Sequence, residues 1–259
     1  MLSIILLGTA DACGTPVHGC RCARCQEALR EPWLRRRQTC ILVQRDQTNV
    51  LIDMGTGEHI HSLQAVDLDA AFITHMHIDH IGGFFALRWT QRTGGLPVYY
   101  PEAAGEEPEG AMLLGEPIGL KLQPLAPFSA VAVAGLQVTP VPLQHGRVAH
   151  GYVVEEVESG ATAAVLLDTS GLPETTLAWF ADHPPDIAII DSCYPPGEFT
   201  EGHNGVDEAL TFINQIGAGQ GVLSHIAHHN WGYRDLVAYV GAWDGGRSLV
   251  AYDGLRLNL

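Results

Sequence analysis

Short apolar runs recur along this chain, with polar turn residues between them. Many runs are bounded by Gly, Asp or Pro, as β-strands usually are. The pattern predicts strands at Ser3–Leu7, Cys40–Val43, Val50–Ile52, Ala71–Thr74, Pro97–Tyr100, Leu136–Val141, Tyr152–Val157, Ala163–Leu167, Ile187–Ile190, Gly221–Ser224 and Leu249–Tyr252.

Helical patterns lie between some of these strands. Pro173–Phe180 opens with Pro and Glu, as helices often do. Val206–Ile216 has apolar residues at helical spacing, and Leu236–Val240 is a shorter candidate. Pro101–Pro117 is rich in Glu, Gly, Ala and Pro, so we expect a long surface loop there. No linker interrupts the alternation, which predicts one mixed α/β domain over residues 1–259.

The composition narrows the class of protein. Hydrophobic residues make up 46% of the chain, enough for a full core, and the formal net charge is −15. No basic stripe marks a nucleic-acid-binding face, so we expect no nucleic-acid partner. An anionic substrate would therefore need local positive charge, which bound metal ions can supply.

The start of the chain resembles a secretion signal only superficially. Leu2–Leu7 is apolar, but no Lys or Arg precedes it, and it is shorter than the roughly 7–15 residues of a signal's apolar region. No run approaches the roughly 18 apolar residues of a membrane span. We expect a buried first strand, no membrane partner and a cytoplasmic protein.

The segment His75-Met76-His77-Ile78-Asp79-His80 carries the strongest chemical signal. It follows an apolar run and precedes two glycines, which places it on a loop that leaves a strand. Neutral imidazole and carboxylate are the ligands of zinc, manganese and iron. Alternate residues such as His75 and His77 can face one metal, while Asp79 and His80 turn towards a second.

Further candidate ligands each follow an apolar strand. They are His145, Asp168, His225 and Asp53. Side chains at strand ends can converge on one edge of a sheet, where open α/β folds place their sites. The alternative for Asp53 is an ordinary turn residue at a strand end.

The H-x-H-x-D-H motif and the order of the later ligands resemble the metallo-β-lactamase superfamily over nearly the whole chain. The resemblance implies a four-layer αββα sandwich with two metals at one edge of its sheets. It assigns His75, His77 and His145 to the first metal and Asp79, His80 and His225 to the second. Asp168 would bridge the two, Asp79 would be part of the catalytic set, and Asp53 would orient ligands from behind.

A second metal-binding pattern lies near the N-terminus, in a loop at about residues 13–38. Cys20, Cys22 and Cys25 form a C-x-C-x-x-C cluster that suits a tetrahedral structural zinc but lacks a fourth ligand nearby. His228 is our candidate for that ligand, because it lies three residues after His225, with His229 and His18 as alternatives. Unligated thiols and a redox pair are the competing interpretations.

Other segments resemble one subgroup, the phosphodiesterases of the carbon–phosphorus lyase pathway of phosphonate degradation. They are the cysteine cluster, Leu6–Thr9, Leu51–Asp53, Leu87–Trp89, Asp168–Pro173 and Ser224–His228. The resemblance implies hydrolysis of 5-phospho-α-D-ribosyl 1,2-cyclic phosphate to ribosyl 1,5-bisphosphate. It also assigns Cys20, Cys22, Cys25 and His228 to the structural zinc.

Three further residues complete the predicted site. His203 lies in the loop Gly202–Gly205 and corresponds to a general acid of that subgroup, although a surface histidine is the alternative. A terminal phosphate on the substrate needs its own cation. Arg147 and Arg88 are the candidates, and each could equally be a solvent-exposed arginine.

Other functions stay open on the sequence alone. They are a ribonuclease Z-like enzyme, a lactonase, a thioesterase, and a non-hydrolytic binding protein like that of pyrroloquinoline quinone biosynthesis. The ligands allow manganese, zinc or iron in the catalytic pair. The resemblance also allows a homodimer.

Overall fold

A computed structural model describes residues 1–198 and 200–259. Its strands are β1 (Leu2–Gly8), β2 (Cys40–Arg45), β3 (Thr48–Ile52), β4 (Ala70–Phe72), β5 (Leu96–Pro101), β6 (Leu120–Leu125), β7 (Val131–Val133), β8 (Leu136–Pro142), β9 (His150–Glu156), β10 (Thr162–Leu166), β11 (Ile187–Asp191), β12 (Gln220–Ser224), β13 (Ser248–Val250) and β14 (Leu255–Asn258). Its α-helices are α1 (Ala23–Arg30), α2 (Ile60–Leu63), α3 (Ile78–Ile81), α4 (Phe84–Leu87), α5 (Pro108–Gly115), α6 (Glu174–Asp182), α7 (Val206–Gln215) and α8 (Tyr233–Asp244). Short 3₁₀ helices cover Pro32–Leu34, Gly57–His59 and Glu102–Glu106.

The strands form two mixed sheets of seven strands each. The first sheet has the order β14-β1-β2-β3-β4-β5-β6, and the second has the order β13-β12-β11-β10-β9-β8-β7. In the first sheet β3, β4, β5 and β6 run parallel, and in the second β10, β11, β12 and β13 run parallel. The loops after these parallel strands therefore leave each sheet at its carboxyl edge.

The two sheets pack face to face around a shared apolar core. Side chains of both sheets meet there, among them Ile4, Phe72, Tyr152 and Val165. A second core lies between the second sheet and helices α6, α7 and α8, and a third lies between the first sheet and helices α2 to α5. The molecule is thus a helix–sheet–sheet–helix stack, which confirms the predicted αββα sandwich.

Each predicted strand overlaps an observed one, with ends that differ by a few residues. The prediction missed β6, β7 and β14, in which buried and exposed positions are interspersed and no continuous apolar run of four or more residues occurs. It also missed α1, which begins within the cysteine cluster. Within the described residues, no helix is both long and apolar enough to cross a membrane.

The expectation of a surface loop over Pro101–Pro117 was wrong. The segment forms the 3₁₀ helix Glu102–Glu106 followed by α5. Pro108 occupies the first position of α5, where its missing N–H removes no hydrogen bond, and Glu109 follows in the first turn. Proline and glutamate thus mark a helix start here.

Candidate metal centre

The histidine motif lies at the carboxyl end of β4. The chain leaves the sheet through Ile73 and Thr74, and His77 caps α3 in an extended conformation. Helix α3 then carries Asp79 and His80, both buried. This short segment therefore supplies His75 and His77 to one cluster of possible ligands and Asp79 and His80 to another.

A first cluster consists of His75, His77, His145 and Asp168. His77 Nδ1 lies 2.9 Å from His75 Nε2 and 3.1 Å from His145 Nε2. His145 Nδ1 lies 2.8 Å from the carbonyl oxygen of Gly202. Because a carbonyl only accepts, His145 carries its proton on Nδ1, and its Nε2 lone pair points into the cluster.

A second cluster consists of Asp79, His80, Asp168 and His225. His80 Nε2 lies 3.4 Å from an Asp79 oxygen and 3.2 Å from Asp168 Oδ2. Asp168 Oδ1 lies 3.2 Å from His225 Nδ1. Asp168 belongs to both clusters, so its carboxylate joins them. Its role as a bridging metal ligand, which the resemblance implies, stays a prediction.

Asp53 lies behind the second cluster. Its Oδ2 accepts a hydrogen bond from His80 Nδ1 at 2.7 Å. The same carboxylate accepts the backbone N–H and the hydroxyl of Thr74 at 2.8 and 2.7 Å. With Nδ1 engaged in this way, His80 presents Nε2 to the cluster. Asp53 has a φ of 55°, a left-handed conformation that is uncommon outside glycine and typical of functional sites.

Charge and burial prepare the imidazoles for a cation. Burial lowers the pKa of His75 well below its ordinary value, and burial also lowers the pKa of His77 and of His145. These rings are therefore neutral at pH 7, which is the form that binds metals. Burial opposes a proton on His80 as well, but nearby carboxylates, Asp168 foremost, raise its pKa well above the ordinary value. The second cluster therefore attracts positive charge.

The donor set fits divalent metal ions. Among the residues that the structure describes, neither His80 Nε2 nor Asp168 Oδ1, both buried, has a hydrogen-bond partner, which is costly unless an ion engages them. Ligand nitrogens about 2.0–2.1 Å from a zinc ion, at angles of about 90–110°, lie about 2.9–3.4 Å from one another. The spacings within the first cluster agree with that range.

His203 lies between the two clusters and is tied to Asp191. Its Nδ1 donates to Asp191 Oδ2 at 2.7 Å. Its ring lies 5.2 Å from the ring of His145 and stacks on His225, also at 5.2 Å. Burial lowers the pKa of His203, but the hydrogen bond and charge of Asp191 outweigh it and raise the pKa to about 9. His203 is therefore protonated at neutral pH, as a general acid must be.

Asp191 is a residue of the candidate site that the sequence analysis missed. Besides holding His203, its carboxylate accepts the backbone N–H of Thr169 at 3.0 Å and of Cys193 at 3.1 Å. It is fully buried at the end of β11. A signal was present, since Asp191 follows the apolar run Ile187–Ile190 just as Asp168 follows its own strand.

The cysteine cluster and His228 form a separate site. His228 Nδ1 lies 3.7 Å from Cys20 Sγ, 3.6 Å from Cys22 Sγ and 3.7 Å from Cys25 Sγ. A tetrahedral zinc ion with Zn–S of about 2.3 Å and Zn–N of about 2.0–2.1 Å places these atoms about 3.6 Å apart. The ligand atoms of the alternatives His18 and His229 do not lie within 4.8 Å of all three thiols.

Local structure keeps this cysteine site ready for a cation. Cys22 is the N-cap of α1, and its sulfur accepts the backbone N–H of Cys25 at 3.4 Å. Burial opposes a thiolate there, but this hydrogen bond and that of His228 lower the pKa of Cys22 to about 6. A thiolate is the form that binds zinc.

The two sites share one stretch of backbone. His225 serves the second cluster and His228 the cysteine site, and the N–H of Ile226 between them donates to Thr9 at 2.9 Å. His225 itself has a φ of 58°, so the chain turns sharply after β12. Its Nδ1 also lies 3.1 Å from the Thr39 hydroxyl.

The two predicted substrate-binding arginines lie in different places. Arg147 is near His77, but its guanidinium is paired with Glu107 and Glu109. Arg88 packs against Phe85 and Trp89 and faces Glu116. None of the Arg88 contacts found in the described part of the chain is with a residue of either metal cluster.

Comparison with known proteins identifies the family of this chain. The model of the β-lactamase superfamily domain matches residues 48–226, which contain both clusters. The chain belongs to the metallo-β-lactamase superfamily. A curated octanoyltransferase of Porphyromonas gingivalis (strain ATCC BAA-308 / W83) is 27% identical over 98% of the chain. The chain spans about half of that protein, 52% of its length.

Two solved structures share the whole fold. A diphosphatase of the PhnP family is 24% identical, with a TM-score of 0.83 over 99% of this chain and 96% of that one. Zinc-bound PqqB of Methylobacterium extorquens is 20% identical, with a TM-score of 0.78 over 99% of this chain and 100% of that one. Both likenesses concern the fold.

Proposed function

We propose that this protein is a dinuclear metal-dependent phosphodiesterase that opens small cyclic phosphodiesters. The substrate to test first is 5-phospho-α-D-ribosyl 1,2-cyclic phosphate, with ribosyl 1,5-bisphosphate as the product. The proposal rests on one observation above all. His203 is held by Asp191 beside two ligand clusters that share Asp168.

The chain's own residues account for the ligands and the proton. His75, His77 and His145 would hold one metal, Asp79, His80 and His225 the other, and Asp168 both. When bound, two such metals would neutralise charge on the phosphate oxygens and lower the pKa of a water molecule towards 7. His203 donates through Nδ1 to Asp191, so its Nε2–H is the proton available to the leaving oxygen. A positioned general acid contributes about 10²–10⁴-fold to the rate.

The acid also helps to choose among hydrolases. A thiol has a pKa of about 8.5, so a thiolate leaves without help, whereas a ribose alkoxide must be protonated. His203 therefore favours an oxygen leaving group over a thioester. The net charge of −15 disfavours a long RNA substrate. A purely binding role would leave the two complete ligand clusters without a purpose.

The cysteine site would hold a structural zinc, because four protein ligands leave no position for substrate. We propose manganese or zinc for the catalytic pair. All six cysteines are free. Three reduced thiols at the zinc site suit a reducing compartment such as the cytoplasm.

A substrate panel tests the proposed function. The metal-loaded protein would be assayed on the cyclic ribosyl phosphate, bis(4-nitrophenyl) phosphate, a lactone and an octanoyl thioester. We expect turnover of both phosphodiesters and at least a hundredfold lower kcat/KM on the other two. Faster turnover of the thioester or the lactone would refute the proposal, and so would the absence of turnover of both phosphodiesters.

A further inference from the structure

The guanidinium of Arg147 is already occupied by two carboxylates of the chain itself. One terminal nitrogen lies 3.0 Å from Glu107 Oε2 and 2.8 Å from Glu109 Oε2. The other lies 3.1 Å from Glu109 Oε1. Glu109 thus makes a two-pronged contact with the guanidinium, the arrangement in which arginine also binds a phosphate.

This ion-pair group lies close to the first metal cluster, since the charges of Arg147 and Glu109 interact with that of His77. Arg147 follows His145 by two residues in the chain. Its partners Glu107 and Glu109 stand at the start of helix α5. A Cβ added at Gly110 would lie 3.3 Å from Met76 Cγ, so α5 packs directly on the histidine motif. Burial is the largest cause of the lowered pKa of His77, and the positive charge of Arg147 is a smaller cause that acts in the same direction.

Both glutamates are held in place. Glu107 accepts the backbone N–H of Val148 at 3.3 Å through its second oxygen. Pro108 fixes the backbone between Glu107 and Glu109 at the helix start, and the positive end of α5 favours the Glu109 carboxylate. The three side chains together carry one net negative charge. The carboxylates engage three of the five N–H groups of the guanidinium, so a phosphate that takes its two-nitrogen edge, now held by Glu109, must displace Glu109.

We propose that Glu107 and Glu109 determine substrate specificity by competing with a terminal phosphate of the substrate for Arg147. The inference rests on the proposed phosphodiesterase activity and refines it. When no substrate is bound, the two glutamate carboxylates occupy N–H groups of Arg147 that would otherwise bind the substrate's terminal phosphate. They set how strongly the enzyme prefers a phosphorylated sugar to the same sugar without its terminal phosphate.

The test compares two double variants with the same change in charge. Glu107→Gln/Glu109→Gln removes the competition. Glu102→Gln/Glu106→Gln removes two exposed carboxylates from the same segment and serves as the control. The substrates are ribosyl 1,2-cyclic phosphate with and without its 5-phosphate. We expect the ratio of KM for the phosphorylated substrate to KM for the unphosphorylated one to fall about tenfold in the first variant and to stay within twofold in the control.

A third substitution separates competition from a change in shape. Adding Arg147→Gln to Glu107→Gln/Glu109→Gln should abolish the gain, because the released cation is then absent. An equal change in KM for both substrates, or a gain that persists without Arg147, would overturn the proposal. Thermal melting of Glu109→Gln alone, which keeps Glu107 on Arg147, checks that the fold survives.

A binding measurement remains informative if the proposed activity fails. Ribose 5-phosphate would be titrated calorimetrically into the metal-loaded protein and into its variants. Tighter binding in Glu107→Gln/Glu109→Gln, and its loss on addition of Arg147→Gln, would support the competition whatever reaction the enzyme performs. Unchanged affinity in all variants would exclude it.

Discussion

The Nδ1–H of His145 donates to the carbonyl oxygen of Gly202 at 2.8 Å, and His203 is the next residue in the chain. The first ligand cluster and the proposed general acid are therefore held by one short stretch of backbone. Gly202 has a φ of 96°, which side chains other than glycine rarely adopt. A substitution that moves the backbone of Gly202 should therefore displace both the candidate ligand His145 and the proposed general acid His203.

Asp191→Asn tests the role of the carboxylate behind His203. His203 must be protonated to act, so activity is lost as the pH rises through its pKa. Burial lowers the pKa of His203, but Asp191 raises it, to about 9. Removal of the Asp191 charge should therefore shift the descending limb of the pH–rate profile to lower pH. We expect kcat at pH 8 to fall about 10²-fold on a substrate with an alkoxide leaving group.

The matched measurement uses an activated leaving group. With bis(4-nitrophenyl) phosphate, which needs little protonation, Asp191→Asn should lose much less activity. Because Asp191 also accepts the N–H groups of Thr169 and Cys193, metal content and thermal stability must be checked alongside. A uniform loss on both substrates would argue that Asp191 acts only through the fold.

Metal counting tests the division of the site into two clusters. Asp168 is common to both, whereas His145 belongs to the first alone and Asp79 to the second alone. We expect three ions per chain in the wild type and two in His145→Ala or Asp79→Ala. Asp168→Ala should retain only the ion at the cysteine site. Inductively coupled plasma mass spectrometry gives the counts, and full occupancy in Asp168→Ala would contradict a shared ligand.

Cys22→Ser should remove the structural ion and lower stability. Structural zinc contributes directly to the free energy of folding. A loss of about 3 kcal/mol corresponds to a fall in Tm of about 10 °C for a chain of this size. Cys13→Ser is the matched control, because Cys13 is an exposed thiol outside the cluster of Cys20, Cys22, Cys25 and His228. Equal melting temperatures for the two variants would show that the cysteine site holds no stabilising ion.

His59 should make the fold sensitive to acid. Its ring is buried and its Nε2 lies 2.9 Å from the carbonyl oxygen of Gln38, and burial lowers its pKa to about 4. The unfolded chain has a histidine pKa of about 6.5, so it binds a proton first as the pH falls. Stability is therefore lost between about pH 6.5 and pH 4, by roughly 2 kcal/mol at pH 5.

Urea unfolding at pH 7 and pH 5 measures this contribution. In His59→Gln the difference in unfolding free energy between the two pH values should shrink by that amount relative to the wild type. His61→Gln, a change at an exposed histidine two residues away, should leave the difference unchanged. Identical behaviour of the two variants would mean that His59 is not the group that titrates.

The structure brings the residues predicted as metal ligands together in two clusters, and their binding of metal stays a prediction. Their signal in the sequence is local. His75 to Asp79 lie in one motif, and Asp168 and His225 each follow a strong apolar strand. Asp191 follows the same rule, but a position at a strand end alone does not distinguish it from a turn residue, whereas its contact with His203 does. The sequence pattern places Glu107 and Glu109 in a surface loop. Their ion pairs with Arg147 are tertiary contacts, which no short-range pattern encodes.

The pairing of β1 with β14 has a consequence for how the chain reaches its fold. Ser3 is aligned with Asn258, and Leu2 and Leu259 exchange backbone hydrogen bonds. On a ribosome that adds about 5–20 residues per second, β1 waits for its outer neighbour for some tens of seconds. During that interval one edge of an apolar strand has unpaired N–H and C=O groups, which invites pairing with another nascent chain. Pairing with β14, whose exposed positions are Arg256 and Asn258, therefore replaces an apolar edge of the first sheet with a more polar one.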